Sequence, residues 1–191
     1  MNAFVINLDS RPDRMKLFEE NNFPFEVTRF PAAVAGCGED GCTLSHLSII
    51  SQQTEFPFIV FEDDCMMIQP WSMVEKSMKQ LPYNWDALWL GATIRQPLER
   101  QSTNLYRLKN AFCLHAVIYN SKTMVDYIIH NHNTPSGKNL DIFYHRKVLN
   151  RFNCYITYPI CATQRFDYSD ICKSKVDYHK EILNSYNKWI P

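Results

Sequence analysis

The sequence predicts an α/β fold, in which a single domain is built on a mainly parallel central sheet flanked by helices. Short apolar runs alternate along the chain with segments of helical periodicity, and this alternation is typical of strand–helix–strand units. The first run, AFVINL at 3–8, is apolar nearly throughout, as expected for a strand buried on both faces. The 191 residues, of which 46% are hydrophobic, suffice for one domain with a substantial core.

The first half of the chain continues with two helices and a second strand. DRMKLFEENN at 13–22 predicts an amphipathic helix, and Pro12 stands just before it, where proline favours a helix start. LSHLSIISQQ at 44–53 repeats leucine and isoleucine at helical spacing. The four apolar residues FIVF at 58–61 predict the next buried strand.

The remaining elements keep the same alternation. A helix is predicted at 70–81, because Pro70 suits its first turn, and DALWL at 86–90 predicts a strand that Gly91 ends. The other predicted elements are a strand at 113–119, helices at 121–130 and 141–150, and a last strand at 154–160. The chain contains no repeat and no long linker, which agrees with one domain.

The charge composition excludes several classes of partner. Lys and Arg total 20, as do Asp and Glu, so the formal net charge is zero. A chain without a large field of either sign is not expected to have nucleic acid or an anionic membrane as its main partner. The longest apolar runs are too short to cross a bilayer, which excludes a transmembrane segment but leaves peripheral membrane association open.

The cysteines indicate a reducing compartment. They number seven, they are scattered along the chain, and no CxxC pair occurs among them. Cys37 and Cys42 lack a second ligand pair at zinc-finger spacing, so a structural zinc site is not expected. Since no signal peptide precedes them, reduced thiols and a cytoplasmic, non-secreted location are expected.

Polar residues follow three of the predicted strands, in the segments NLD at 7–9, EDD at 62–64 and GAT at 91–93. Ligands bind at the carboxyl ends of the strands in a parallel sheet, so these segments predict one shared cleft. The alternative for 62–64 is an acidic, solvated turn. Such a turn has no reason to share a sheet edge with other polar strand ends, and this favours the cleft.

The carboxylates at 62–64 suit a hard divalent cation. Asp and Glu oxygens are preferred ligands of Mg²⁺ and Mn²⁺, which in turn hold diphosphates. If the side chains alternate after the strand, Glu62 and Asp64 face the cleft and Asp63 faces elsewhere. Asp64 is the first candidate for direct metal contact, while Glu62 shares the metal, fixes the loop or contacts a sugar. No GxxxxGK[ST] or GxGxxG loop occurs, so kinase, ATPase and dinucleotide functions lose their usual support.

Five further side chains have competing interpretations. Arg11 and Arg14 either bind phosphate, which arginine recognises with paired donors, or are solvated residues at a helix start. Asp141 is either the N-cap of its helix or a general base that takes a proton from an acceptor hydroxyl. His46 and His115 lie within a helical and a strand pattern, and both are expected to be structural.

Eight segments, taken together and in order, resemble glycosyltransferase family 25, which includes lipopolysaccharide sugar transferases and the collagen galactosyltransferases. The segments are FVINLDSRPDRM, RFPAAVAG, GCTLSHLSII, FIVFEDDC, LPYNWDALWLGA, HAVIYNSKTM, LDIFYHR and FDYSDI, and they span nearly the whole chain. Each segment alone is weakly specific, whereas the ordered set is quite specific.

The resemblance implies a GT-A fold, a UDP-sugar donor, a divalent Mn²⁺ or Mg²⁺ ion and inversion at the anomeric carbon. The DxD-type metal motif of this fold corresponds to 62–64, with Asp64 and Glu62 on the metal and Asp63 beside the donor. Asp141 corresponds to an aspartate at the start of a late helix and becomes the candidate catalytic base. The residues expected to cradle the nucleotide are Asn7, Leu8, Arg14, Pro31 and Ala32.

The resemblance also divides the domain, with the nucleotide-sugar and metal site in 1–95 and the acceptor and catalytic base in 96–191. The expected acceptor is a hydroxyl of a glycan or glycoprotein. Family members that act alone often carry more carboxy-terminal sequence, so further domains after Pro191 are an open expectation. Ser169 and Asp170 match a late family element without an assigned role. The alternatives are an inactive nucleotide- or glycan-binding module and a metal-dependent nucleotide-sugar hydrolase.

Overall fold

An eight-stranded sheet forms the centre of the structure, a computed structural model that describes residues 1–132 and 140–190. Across the sheet the strands are β2 (Thr28–Pro31), β1 (Asn2–Asn7), β3 (Phe58–Glu62), β10 (Ala116–Tyr119), β5 (Ala87–Trp89), β11 (Cys154–Thr157), β8 (Leu105–Arg107) and β7 (Glu99–Ser102). β10 and β8 run antiparallel to their neighbours, and the other strands share one direction. The predicted fold class, an α/β domain with a mainly parallel central sheet, is confirmed.

Shorter strands form three antiparallel pairs beside this sheet. They are β4 (Cys65–Met67) with β12 (Ala162–Gln164), β6 (Thr93–Ile94) with β9 (Ala111–Phe112), and β13 (Asp167–Ser169) with β14 (Ser174–Val176). The β4–β12 pair sets Gln164 opposite Cys65, next to the acidic turn that follows β3. The β13–β14 hairpin follows directly, so the carboxy-terminal part of the chain returns to the end of β3.

Helices cover both faces of the central sheet. One face packs against α1 (Pro12–Glu19) and α3 (Trp71–Met78), and the other against α2 (Gly38–Ser51), α4 (Lys122–Asn131), α5 (Leu140–Phe143) and α6 (Tyr178–Trp189). A π-helical segment, Tyr144–Val148, continues α5. In the described part of the chain, none of these helices has the length and apolarity needed to cross a bilayer.

The apolar run in β3 shows why the sheet is covered on both sides. Phe58 and Val60 belong to the core on the α2 face, whereas Ile59 and Phe61 belong to the core on the α1 face. All four side chains are fully buried, because successive strand residues point to opposite faces. Burial of each such side chain contributes about 1.5–3 kcal/mol, which offsets the cost of ordering the strand.

Several predicted boundaries differ from the observed ones. The strand predicted at 113–119 begins only at Ala116, because Cys113 adopts a positive φ of 80° that an extended strand cannot contain. The helix predicted at 141–150 is α-helical only as far as Phe143 and then widens to a π-helix. The final helix α6 was not predicted, nor were β2, β7 and β8 of the central sheet or the short strands outside it.

Candidate active site

A cleft of about 620 Å³ lies at the carboxyl ends of β1 and β3. Its walls are the segments that follow β1, β2 and β3, the first half of α2, the start of α5 and the β13–β14 hairpin. This is the edge at which sheets with parallel strands bind ligands. The volume lies within the range of about 300–1,000 Å³ that is usual for small-molecule and cofactor sites.

The structure brings most of the predicted site residues together. Those that line the cleft are Asn7, Leu8, Arg14, Ala32, Glu62, Asp63, Asp64 and Asp141. Pro31 is the exception: it is exposed at the end of β2 and is not part of the described cleft lining. The segment predicted at 91–93 contributes Thr93, while Gly91 packs so closely on the carbonyl oxygen of Ala162 that a Cβ would not fit.

Arg14 joins the two aspartates of the acidic turn. Its Nη2 atom lies 3.0 Å from Asp63 Oδ1 and 3.0 Å from Asp64 Oδ2. The expectation that Asp63 faces away from the cleft is wrong, because Asp63 lines the cleft together with Glu62 and Asp64. The strand ends at Glu62, and the following two residues form a turn in which the alternation of a strand no longer holds.

Asn7 fixes the end of β1 to this turn. Its amide nitrogen donates to Asp63 Oδ2 at 2.7 Å and to the carbonyl oxygen of Arg11 at 2.9 Å. Its amide oxygen accepts a hydrogen bond of 2.9 Å from Arg29 Nε. Because both ends of the amide are occupied, the side chain of Asn7 positions Asp63, and its contact with a nucleotide stays a prediction.

Glu62 faces α2 and contacts His46. The Nε2 atom of His46 lies 3.0 Å from Glu62 Oε1, so the buried histidine has the structural hydrogen bond expected from the sequence. Cys42, one helical turn before His46, completes a group whose three ligand atoms lie within 4.8 Å of one another. The neighbours of Glu62 are thus a thiol and an imidazole, and those of Asp64 are Arg14 and Gln164.

The environment of the acidic turn shifts the pKa values of its carboxyl groups in different directions. Burial raises the pKa of Asp64 to about 7, and the charges of Glu62 and Asp63 add to this effect, whereas Arg14 and Gln164 oppose it. Burial also raises the pKa of Asp63 against the charge of Arg14. Burial acts in the same direction on Glu62, but the hydrogen bond and charge of His46 outweigh it, so the pKa of Glu62 is lowered.

Asp141 lies in the first turn of α5 and faces the same cleft as Glu62. The interpretation of Asp141 as an N-cap is wrong, because the residue lies inside the helix and not before it. Burial raises the pKa of its carboxyl group to about 6, and the charge of Glu62 contributes, while a hydrogen bond from the backbone of Cys113 lowers it. A carboxylate with a pKa near neutrality is suited to accept a proton. The loop before α5, at 133–139, lies outside the described residues.

The β13–β14 hairpin closes one side of the cleft through two aspartates that the sequence did not assign. Asp167 Oδ2 lies 3.1 Å from Arg11 Nη2, and Asp170 Oδ2 lies 2.5 Å from Arg11 Nη1. The next residue of the hairpin packs against α2: a Cβ on Gly38 would lie 2.9 Å from the Cα of Ile171. The only signal in the sequence was the late SDI element at 169–171, whose role could not be derived.

The oxygen atoms of the acidic turn fit a hard divalent cation. Asp64 Oδ1 is buried and has no hydrogen-bond partner among the described residues. A buried carboxylate oxygen without a donor is costly unless a cation or water satisfies it. Since Mg²⁺ and Mn²⁺ prefer such ligands, Asp64 stays the first candidate for metal contact.

Comparisons with known proteins support the fold and leave the family open. No protein-family model and no curated protein matches the sequence. Among solved structures, A197 from STIV is similar with a TM-score of 0.53 at 9% identity, over 87% of both chains. An apo UDP-glucose pyrophosphorylase gives a TM-score of 0.43 at 16% identity, over 86% of this chain and 63% of that one. At these identities the likeness to A197 concerns the fold alone, and the resemblance to glycosyltransferase family 25 is not confirmed.

Proposed function

We propose that this protein is a divalent-metal-dependent inverting glycosyltransferase, which moves a sugar from a UDP-sugar to a hydroxyl of a glycan or glycoprotein. The observation that carries the proposal is the placement of two separate acidic groups in one cleft. Asp63 and Asp64 follow β3 on one wall, and Asp141 lies in the first turn of α5 on another. The ordered motifs that resemble glycosyltransferase family 25 support the same assignment.

The acidic turn is the proposed site of the donor diphosphate. Asp64, assisted by Asp63 or Glu62, would hold a Mn²⁺ or Mg²⁺ ion, which neutralises charge on the departing diphosphate when it is bound. Leu8 and Ala32 line the cleft at the ends of β1 and β2, where the nucleoside would lie. Arg14 offers the planar paired donors that suit phosphate oxygens.

Asp141 is the proposed general base. Its carboxylate takes the proton of the acceptor hydroxyl, and the oxygen then attacks the anomeric carbon on the side opposite the departing UDP. Burial and the charge of Glu62 raise the pKa of Asp141 to about 6, so the carboxylate is mostly ionised at neutral pH yet remains a useful proton acceptor. This division assigns the leaving group to one wall of the cleft and proton transfer to the other.

The test is to incubate the protein with UDP-sugars and Mn²⁺, with and without candidate glycan acceptors, and to measure released UDP. Release that requires an acceptor supports transfer, and inverted configuration in the product supports the proposed stereochemistry. Equal release without acceptor indicates a nucleotide-sugar hydrolase. Binding of UDP without any turnover indicates a binding module, and either result contradicts the proposal.

A further inference from the structure

We infer that Arg14 is the resident counterion of Asp63 and Asp64, that a metal ion on these carboxylates competes with it, and that this exchange couples metal binding to donor binding. Arg14 would thus do more than contact phosphate: it would hold the acidic turn in a neutralised state until metal and diphosphate arrive together. The inference rests on the proposed function, because it concerns the metal and the diphosphate of that same site.

Arg14, Asp63 and Asp64 are largely enclosed by the protein. The side chains of Arg14, Asp63 and Asp64 are only 12%, 9% and 18% exposed, so water screens their interaction weakly. Two adjacent carboxylates in such surroundings require a cation, since removal of one partner leaves an uncompensated buried charge. One guanidinium nitrogen, Nη2, lies 3.0 Å from an oxygen of each carboxylate and supplies that cation.

A metal ion and Arg14 compete for the same two carboxylates. A dication on Asp63 or Asp64 would lie close to the guanidinium and would repel it, because like charges at such a distance disfavour each other. Asp64 Oδ2 is already shared between Arg14 and Gln164, at 3.0 and 3.1 Å. Metal binding in the absence of the donor therefore has to overcome the contacts of Arg14.

Arg14 also has other anions within reach. Its Nε atom lies 3.7 Å from Asp167 Oδ2 and its Nη1 atom lies 3.9 Å from Asp170 Oδ2, both beyond normal hydrogen-bond length. Arg11 already contacts these two hairpin carboxylates at 3.1 and 2.5 Å, so they can hold Arg14 only in part. A donor diphosphate in the cleft offers a further anion that Arg14 can contact when it leaves the acidic turn.

These contacts lead to a definite thermodynamic consequence. Diphosphate binding gives Arg14 a new partner and frees Asp63 and Asp64 for the metal, while the metal frees Arg14 for the diphosphate. Each ligand then raises the affinity for the other by the same factor, since coupling between two binding equilibria is reciprocal. If the ion pair between Arg14 and the acidic turn served only to hold α1 in place, it would not contribute to this mutual increase in affinity.

The experiment is a set of calorimetric titrations of Mn²⁺, of UDP, and of each in the presence of the other, corrected for the association of Mn²⁺ with free UDP. In Arg14→Gln we expect Mn²⁺ alone to bind at least about fivefold more tightly, and the factor by which UDP strengthens Mn²⁺ binding to fall by a similar amount. Arg14→Lys keeps the charge and is expected to stay closer to the wild type.

The matched control is Arg11→Gln, which removes the arginine at the N-cap of the same helix. Arg11 contacts the hairpin aspartates and Asp13, so its loss should change the affinity for Mn²⁺ alone much less than the loss of Arg14 does. Circular dichroism establishes that each variant is folded. If folded Arg14→Gln binds Mn²⁺ no more tightly than the wild type and keeps the full effect of UDP, the inference is wrong while the proposed function stands. Failure of the wild type to bind Mn²⁺ and UDP contradicts both.

Discussion

Asp141 is the residue on which the proposed chemistry depends most directly. Replacement by asparagine keeps the shape and the ability to accept the hydrogen bond from Cys113, but removes the proton acceptor. General base catalysis typically contributes about 10²–10⁴-fold, so Asp141→Asn should lose transfer activity by that factor while UDP still binds. The control is Asp126→Asn, which changes an aspartate of α4 that is paired with Lys122 on the surface. Transfer by Asp141→Asn at a rate near that of the wild type would remove Asp141 from the mechanism.

Asp64 is the carboxylate on which metal binding is expected to depend. Its Oδ1 atom has no hydrogen-bond partner among the described residues, and its Oδ2 atom is held by Arg14 and Gln164. Asp64→Ala should abolish the part of UDP binding that depends on Mn²⁺, as measured by calorimetry with and without the ion. Cys42→Ser is the comparison, since a hard cation held by oxygen atoms does not need the nearby thiol. Unchanged Mn²⁺-dependent binding in Asp64→Ala would exclude this carboxylate as a ligand.

Among the elements, α2 is placed by a close contact that only glycine permits. A Cβ on Gly41 would lie 2.6 Å from the carbonyl oxygen of Ala33, in the segment after β2 that lines the cleft. Ser45 reinforces the contact, because its Oγ accepts a 2.8 Å hydrogen bond from the amide of Ala33. The start of α2 therefore sets the wall of the cleft next to the predicted nucleoside position.

Gly41→Ala should consequently weaken both the fold and the site. Overpacking of this kind typically costs about 1–3 kcal/mol, and the shift of the segment after β2 should reduce affinity for UDP. Gly36→Ala is the matched control, since nothing lies within 4 Å of the position where its Cβ would be. Urea denaturation measures the stability of both variants and calorimetry their affinity. Equal free energies of unfolding for the two variants would show that α2 accommodates the added methyl group without loss of stability.

The elements that could be predicted are those with a strong pattern of their own. β1 and β3 are apolar because both faces are buried, and this made them recognisable. The direction of β10 could not be predicted, because an apolar run looks the same in a parallel and an antiparallel strand. α6 was predictable in the same way as β1 and β3, because Tyr178, Ile182, Tyr186 and Trp189 recur at helical spacing, whereas the short outer strands offer too few residues for a period.

At the scale of the whole molecule, the convergence of the site followed from a rule of topology. The ends of parallel strands lie at one edge, so Asn7 and the acidic turn were expected to be neighbours, and they are bonded to each other. The partners from the late part of the chain, Gln164 and Asp167, could not be found in this way. Their position depends on how short strands and a hairpin fold back, and such tertiary contacts leave no local pattern.

The raised pKa of Asp141 makes the stability of the whole protein depend on pH. The folded protein holds this proton up to about pH 6, whereas the unfolded chain loses it near the ordinary aspartate pKa of 3.8, so between these values the folded state binds more protons. The contribution of Asp141 to stability therefore falls as the pH rises through this window. Asp141→Asn should be more stable than the wild type at pH 8, by up to about 3 kcal/mol, and should lose this advantage towards pH 4.

Urea denaturation of both proteins at several pH values measures this difference, and Asp126→Asn again serves as the control. A difference in stability that is constant with pH would show that the substitution acts through packing or hydrogen bonding and not through protonation of Asp141. If the difference grows towards acid pH, the pKa of Asp141 in the folded protein is not raised.

The salt bridges between α1 and the β13–β14 hairpin also have a consequence for folding kinetics. Arg11 contacts partners that are 156 and 159 positions further along the chain. Contacts of such sequence separation form only after the entropy of a very long loop has been lost, and they are commonly late events in folding. We therefore expect the central sheet to assemble first and the β13–β14 hairpin to dock against α1 last. The change in tryptophan fluorescence during refolding should then precede the recovery of UDP binding.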